Sequence, residues 1–254
     1  MNLQYVPSAE FRRVRELNAT AEQRAALFAD IARLNTLYMI TRAGSGHIGS
    51  SFSCADILSW LFLEELELGD SGANSGDTFF SSKGHDAPGL YSVMIGMGML
   101  DEASLHQLRR LGGLPGHPDI STPYIETNTG PLGMGISKAK GMILADRFDG
   151  IQRKVFVLTG DGELQEGQIW ESLPSAVRHG MGELTVIVDH NKVQSDTWVS
   201  SVSDLGDLER KFSAFGWEVA RCDGHDLEAL SMALEKLGLV QDRPKILIAD
   251  TIKG

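Results

Sequence analysis

Hydrophobic and polar positions follow a helical period in the N-terminal half of this 254-residue chain. The apolar side chains between Ala21 and Arg42 recur every three to four residues, which predicts a helix with one buried face. Thr20 precedes this pattern, and Gln23 is placed to complete a capping box with it. Further helices are predicted over 55–66, 88–99 and 101–111. The Gly- and Pro-rich stretch 112–128 is predicted to be irregular.

In the second half, short apolar runs alternate with amphipathic segments. This pattern predicts strands over 154–159, 184–189, 217–221 and 245–250, and helices over 134–148, 165–179, 205–215 and 226–237. Such alternation is typical of α/β proteins, in which helices flank a mostly parallel sheet. Pro174 lies inside a predicted helix and is expected to kink or split it. We predict a single domain over 1–254, with 1–18 as a polar N-terminal arm.

The bulk composition excludes several classes of protein. A hydrophobic content of 42% and a charged content of 22% are ordinary for a globular protein. The net charge of −11 argues against binding to nucleic acids or anionic membranes. No apolar run approaches the length of a transmembrane helix, and no signal peptide is recognisable. Cys54 and Cys222 stand far apart in apolar surroundings and are expected to be reduced, so we expect a cytoplasmic enzyme.

Candidate chemistry appears where two predicted strands end. Gly160-Asp161-Gly162 follows one apolar run, and Asn191 follows the next, with twenty-eight residues between Gly162 and Asn191. Parallel strands bring their carboxyl ends to the same edge of a sheet, where ligands bind. Asp161 and Asn191 offer the hard oxygen ligands that Mg²⁺ prefers, and Gly162 lets the backbone approach a phosphate closely. The alternative is that Asp161 caps a helix and Asn191 forms a turn.

Four further motifs stand in order along the chain: Gly44-Ser45-Gly46-His47, Ser82-Lys83-Gly84-His85, Pro115-Gly116-His117-Pro118 and Thr129-Gly130-Pro131-Leu132-Gly133. With the Gly-Asp-Gly…Asn pattern, they resemble transketolases from about residue 25 to the last residue. Full-length transketolases are more than twice as long. The chain therefore looks like their N-terminal, diphosphate-binding part, as in transketolases encoded as two separate chains, and the resemblance implies the thiamine-diphosphate-binding fold.

The resemblance implies thiamine diphosphate and Mg²⁺ (or Ca²⁺ or Mn²⁺) as cofactors. The metal ligands would be Asp161, Asn191 and the backbone carbonyl of Val193. The residues that bind the organic cofactor would be His85, Gly130, Pro131, Leu132, Asp161, Gly162 and Asn191. Transketolases usually have Asn or Asp before the ligand Asn, whereas this chain has His190.

The resemblance also implies four catalytic residues. His85 would contact the cofactor diphosphate, while His47 and His117 would contact the sugar hydroxyls and the oxygen of the carbonyl under attack. Glu166 would lie at a subunit contact, in a carboxylate network between active sites. Glu171 could join that network, but Pro174 disturbs the helix that positions it.

Other functions fit the sequence less well. Residues 44–49 match a GxGxxG dinucleotide fingerprint, but the preceding pattern is helical where the fingerprint needs a strand. A zinc site built from three histidines lacks any supporting local spacing. A related thiamine-diphosphate enzyme, such as a deoxyxylulose-phosphate synthase, and a non-catalytic cofactor-binding or regulatory subunit stay as alternatives. The segment Ser82–Pro88 favours transketolase over the synthase.

In transketolases, the Glu that activates the cofactor and the residues that grip the substrate phosphate lie in a second, pyrimidine-binding domain beyond residue 254. The resemblance therefore implies a partner chain with the pyrimidine-binding and C-terminal domains, and we expect two copies of each chain. This chain alone should be inactive. The complete enzyme would move a two-carbon ketol unit from a ketose or its phosphate to an aldose or its phosphate, as in the pentose phosphate pathway.

Overall fold

The computed structural model describes residues 3–69 and 76–254. Its α-helices are α1 (Ser8–Arg15), α2 (Ala21–Ala43), α3 (Ile48–Ser53), α4 (Ala55–Trp60), α5 (Ala87–Met97), α6 (Gly135–Asp149), α7 (Gly167–Arg178), α8 (Val199–Val202), α9 (Leu208–Ala214) and α10 (Leu227–Gly238). Its strands are β1 (Thr78–Ser81), β2 (Val155–Gly160), β3 (Leu184–His190), β4 (Val193–Gln194), β5 (Thr197–Trp198), β6 (Glu218–Asp223) and β7 (Lys245–Asp250). A π-helical segment, Leu61–Glu65, follows α4, and 3₁₀ helices span Glu102–His106 and Gly162–Gln165.

Five strands form one parallel sheet in the order β1-β2-β3-β7-β6, and β4 and β5 form a small antiparallel pair. The predicted α/β fold with a mostly parallel sheet is confirmed. Strand β1 was not predicted, because its four residues are too few to show a clear apolar run. It adds the segment before His85 to the edge of the sheet beside β2.

Alternate side chains of the central strands enter two hydrophobic cores. Val155 and Val157 of β2 pack with the apolar faces of α6, α7 and α9. Phe156 and Leu158 pack on the other face, with residues of α2, α4, α5 and α10. Because both faces of the sheet are covered, β2 and β3 carry nearly continuous apolar runs before their polar carboxyl ends.

The sheet register places the two chemical motifs side by side. In the parallel pairing of β2 with β3, Gly160 is the partner of Asp189. Asp161 and Asn191 therefore follow neighbouring strand ends, as the sequence pattern predicts.

Helix α2 confirms the predicted capping box. The Thr20 side chain accepts a hydrogen bond from the Gln23 N–H, and the Gln23 side chain accepts one from the Thr20 N–H. The helix ends at Gly44, whose φ of 71° lies in the left-handed region.

The N-terminal segment differs from the predicted polar arm. Residues 8–15 form α1, in which Phe11 and Val14 are buried. The Phe11 ring packs edge-on against Phe28 of α2, with ring centroids 4.8 Å apart. The arginine and glutamate side chains around these two apolar residues obscured them in the sequence pattern. Residues 1 and 2 of the predicted arm lie outside the described part of the chain.

The helices differ from the predicted elements at three other places. Residues 48–53 form α3, which was not predicted. The helix predicted over 101–111 is only the 3₁₀ turn Glu102–His106, and Arg109 then has a positive φ of 55°. Helix α7 runs through Pro174 without a break, which excludes the split that was one of the two expected outcomes there.

Candidate active site

The carboxyl ends of β2 and β3 open into a cavity of about 500 Å³, a size usual for small-molecule sites. Its lining includes most of the residues predicted to act in function: His47, His85, His117, Gly130, Leu132, Asp161, Gly162, Asn191 and Val193. Predicted site residues from six separate segments therefore meet at one place. Pro131 and Glu166 are exposed and do not line the cavity.

Asp161 is almost fully buried at the end of β2. Its carboxylate accepts hydrogen bonds from the backbone N–H of Gly162, at 2.8 Å, and of Lys192. Burial raises the pKa of Asp161 above its ordinary value, although these N–H donors oppose the rise. A carboxylate has about four lone-pair sites, so Asp161 keeps acceptor capacity for a cation.

Asn191 is held in one orientation. Its side-chain amide donates to Asp189 Oδ2 at 3.2 Å and to Ser53 Oγ at 3.3 Å. Its carbonyl oxygen accepts from the Val193 N–H at 3.1 Å. Because the amide NH₂ group is engaged on the protein side, the amide oxygen is the group left to serve as a ligand.

The third predicted metal ligand, the Val193 carbonyl oxygen, accepts a hydrogen bond from Lys253 Nζ at 3.1 Å. The same ammonium group donates to the Ser195 carbonyl at 3.0 Å. A carbonyl oxygen has two lone pairs, so this contact leaves room for a second partner. The donor set of one carboxylate, one amide oxygen and one carbonyl matches the chemistry of Mg²⁺ or Ca²⁺.

The alternative zinc site would need a group of His, Cys or carboxylate side chains around one point. In the described ranges 3–69 and 76–254, no three His, Cys, Asp or Glu side chains are grouped so as to hold a metal. His190 pairs with Asp250, with 2.7 Å between Nδ1 and Oδ1.

The backbone at Gly160 leaves open space beside these ligands. A Cβ placed there would meet nothing closer than the Lys83 side chain at 3.7 Å. Protein packing therefore does not require a glycine at this position, which lines the cavity. The absence of a side chain lets a ligand approach the strand end, as a phosphate group would need.

The three predicted histidines line the cavity at different depths. The rings of His47 and His85 lie 5.1 Å apart, and His85 is the more buried, whereas His47 and His117 are exposed. Burial lowers the pKa of His85 to about 4. Partial burial, followed by the nearby Arg109 charge, lowers the pKa of His47. His47 and His85 are therefore neutral at pH 7.

The neutral tautomer of His85 follows from its hydrogen bond. Nδ1 lies 2.9 Å from the Lys83 carbonyl oxygen, which can only accept, so Nδ1 carries the proton. Nε2 is then the unprotonated nitrogen.

The turn 130–133 forms another wall. Gly130 has a φ of 126°, and a Cβ there would lie 3.2 Å from the His117 ring, so this position suits glycine. Leu132 lines the cavity and stays 40% exposed. Pro131 is exposed and is not among the residues of the lining.

Glu166 precedes α7 at its N-cap position and is exposed. Its Cβ would lie 2.7 Å from a Cβ built on Gly133, so it stands directly behind the turn 130–133. Glu171 is exposed on the next turn of α7. Both positions leave these carboxylates available to a partner.

Sequence reasoning missed a buried ion pair below the cavity. Lys83 Nζ lies 2.7 Å from Asp189 Oδ2 and 3.6 Å from Asp86 Oδ2. Burial alone would lower the pKa of Lys83 and raise that of Asp189, but their mutual attraction reverses both shifts. The motif Ser82-Lys83-Gly84-His85 was the available signal, but lysine is seldom expected to be fully buried.

A second missed residue is Glu163, which directly follows Gly162 and is buried on the cavity wall.

In the parts of the chain that the structure describes, no helix is long and apolar enough to span a membrane.

Comparison with known proteins identifies relatives of this chain. The family model "Transketolase, thiamine diphosphate binding domain" matches residues 24–254. A 6-deoxy-6-sulfo-D-fructose transketolase subunit from Clostridium sp. (strain MSTE9) is 36% identical over 89% of this chain and 84% of its own length. A subunit of an apulose-4-phosphate transketolase from Phocaeicola vulgatus is 32% identical over 87% of this chain and 80% of its own length.

Solved structures agree with the fold. A crystal structure of transketolase from Campylobacter jejuni superposes with a TM-score of 0.81 and 31% sequence identity over 92% of this chain. The chain spans only 38% of that transketolase, whereas it spans most of the two relatives named above.

Proposed function

This chain belongs to the transketolase family through its thiamine-diphosphate-binding domain, and we propose that it is the N-terminal subunit of a two-chain transketolase. The observation that carries this proposal is the single cavity whose lining brings together the three loop histidines, Gly130 and Leu132 of the turn 130–133, and the Asp161–Asn191 pair. The two relatives that it matches over most of their lengths are both named as transketolase subunits.

We propose that Asp161, Asn191 and the Val193 carbonyl hold Mg²⁺, which then binds the cofactor diphosphate. Mg²⁺ takes about six oxygen ligands and commonly obtains several from phosphate and water, so three protein oxygens leave room for a diphosphate. The open space at Gly160 supports the same placement. Ca²⁺ or Mn²⁺ would suit the same oxygen donors.

The cofactor, when bound, supplies the nucleophilic carbon that takes up and releases the two-carbon unit. Around it, His85, which is hydrogen-bonded to the Lys83 carbonyl, would contact the diphosphate. His47 and His117 line the same cavity and are exposed, so they would be available to contact the sugar. The N–H of a neutral imidazole can donate a hydrogen bond to a sugar hydroxyl or to the oxygen of a reacting carbonyl. Leu132 and Gly130 would line the aminopyrimidine ring, with Pro131 shaping the turn.

The complete enzyme requires a second chain in this proposal. A pyrimidine-binding subunit would close over the cavity and bring the activating Glu, and the exposed Glu166 would meet it at the contact. We expect two copies of each chain, because closed two-fold assemblies dominate. Donor and acceptor would be sugars or sugar phosphates. The free Cys54 and Cys222 suit the reducing cytoplasm, where we place the enzyme.

The metal assignment is tested by calorimetry on the complex of the two chains. The complex that carries Asp161→Ala should bind thiamine diphosphate much more weakly than the wild-type complex does. The wild-type complex should also bind it weakly when no divalent ion is present. Asp149→Ala, which removes an exposed carboxylate at the end of α6, is the control and should bind like the wild type. Equal affinities of the wild type and Asp161→Ala, with or without Mg²⁺, would contradict the assignment.

The assembly is tested by activity. The purified chain should transfer no two-carbon unit between sugar phosphates until the partner is added. Turnover by this chain alone would overturn the two-chain proposal. Cofactor binding by the complex without turnover would favour a non-catalytic subunit.

A further inference from the structure

Glu163 is a buried carboxylate that has no role in the proposed function. It lines the cavity and is 2% exposed. Its oxygens accept hydrogen bonds from the Ser82 hydroxyl, from the Gly133 N–H at 2.8 Å and from the Gly160 N–H at 3.3 Å. These donors belong to three segments that reach the cavity separately: the loop after β1, the turn before α6 and the end of β2.

Neutral hydrogen-bond donors stabilise the buried carboxylate of Glu163. In the described residues, its carboxylate forms no salt bridge, since the neighbouring Lys83 is paired with Asp189 and Asp86. Burial raises the pKa of Glu163, and the hydrogen bonds from Ser82 and the two glycines oppose that rise. Hydrogen bonds to a charged acceptor are stronger than those between neutral groups. The carboxylate is therefore a strong junction between the three segments.

One of these bonds has no substitute. Among the hydrogen bonds of the described residues, the bond from the Gly133 N–H to Glu163 Oε1 is the one that ties the turn 130–133 to the sheet end. Gly133 has a positive φ of 83° and stands against Glu166, so its path is closely restricted. Gly160, the other backbone donor, marks the diphosphate end of the cavity.

We propose that Glu163 is a positioning residue that sets the aminopyrimidine wall, formed by the turn 130–133, at a fixed distance from the diphosphate site at Gly160 and Asp161. This inference rests on the proposed function. It predicts that loss of Glu163 weakens the binding of the whole cofactor more than that of its diphosphate end alone. A role in general packing would weaken both equally.

The test compares thiamine diphosphate with inorganic diphosphate, each with Mg²⁺, on the complex of the two chains. Glu163→Gln keeps the shape of the side chain but has only one acceptor oxygen, and its NH₂ group would face an N–H donor. We expect its Kd for thiamine diphosphate to rise about tenfold or more, as is usual when a charged buried acceptor is lost. The Kd for inorganic diphosphate should stay within about threefold, since that ligand does not reach the turn. Equal changes for the two ligands, or no change, overturn the proposal.

Asp146→Asn is the matched control. Asp146 is also a buried carboxylate, but it belongs to α6 and pairs with Arg153, away from the cavity. This variant should be less stable and still bind both ligands like the wild type. The same selective loss in Asp146→Asn would show that general destabilisation causes the effect, which overturns the proposal. Glu163→Asp keeps the charge but shortens the reach, and it should show the same selectivity as Glu163→Gln.

A measurement on the wild-type chain tests the hydrogen bond from Gly133 to Glu163 even if these variants do not fold. The Gly133 amide should exchange its hydrogen slowly in the absence of cofactor, because it is bonded to Glu163. Fast exchange at Gly133 overturns the proposal. Failure of the wild-type complex to bind thiamine diphosphate would instead overturn the proposed function, so the two failures are distinguishable.

Discussion

Replacing Lys83 by methionine would remove the ammonium group that two buried carboxylates share. Lys83 is 1% exposed, and its Nζ lies 2.7 Å from Asp189 and 3.6 Å from Asp86. It also donates to Ser50 Oγ at 3.0 Å. Methionine has nearly the same length and fills the same space, so the variant tests the charge with little change in packing.

The structure sets the expected magnitude. Removing one partner of a buried ion pair costs about 3–5 kcal/mol, because the other charge stays buried without compensation. Asp189 would keep its hydrogen bonds from the Ser53 and Thr251 hydroxyls. We therefore expect the free energy of unfolding to fall by about 3 kcal/mol, at the lower end of that range.

Urea unfolding of the purified chain measures this loss, provided that the m-value is unchanged. Lys154→Met is the control: Lys154 is half exposed and lies 3.9 Å from Glu65, so its removal should cost less than about 1 kcal/mol. The double variant Lys83→Met with Asp189→Asn should recover part of the loss, since it removes one of the two carboxylate charges that Lys83 compensates. A loss below about 1 kcal/mol in Lys83→Met would refute the reasoning from buried charge.

Three other predictions concern the site and its surroundings. His47→Ala and His117→Ala should each lower the kcat of the assembled enzyme by about 10²-fold with little change in the Kd of thiamine diphosphate, because the proposed function gives them contacts to the substrate in the transition state; loss of cofactor binding with unchanged turnover would contradict these roles. Burial lowers the pKa of His85 to about 4 in the folded chain, below the unfolded-state value of about 6.5. The free energy of unfolding is therefore highest above about pH 6.5, and it falls as the pH drops toward 4, because the unfolded state takes up the proton first. Between about pH 7.5 and 5, the free energy of unfolding should fall by about 2 kcal/mol more in the wild type than in His85→Gln, as measured by urea unfolding; parallel losses would contradict the assignment. Thr20→Ala should lower the free energy of unfolding by about 1 kcal/mol through loss of the cap of α2, whereas Thr20→Ser should not.

The sequence by itself determined the elements whose signals are local. Helix α2 begins and ends where the capping box and Gly44 place it, because these signals act within a few residues. Strands β2, β3 and β7 follow from continuous apolar runs, and the placement of Asp161 and Asn191 at neighbouring strand ends follows from the order of strands and helices.

Only the tertiary structure decided which side chains became buried partners. Lys83 and Asp189 are 106 positions apart, and their pairing depends on β1 joining the edge of the sheet beside β2. Phe11 looked like part of a polar arm because its partner, Phe28, lies on another helix. Glu163 and Glu166 are three residues apart in one motif, yet the 3₁₀ turn between them directs one into the cavity and the other to the surface. Burial and charge pairing depend on contacts between segments that are distant in the chain, and periodicity along the sequence does not record those contacts.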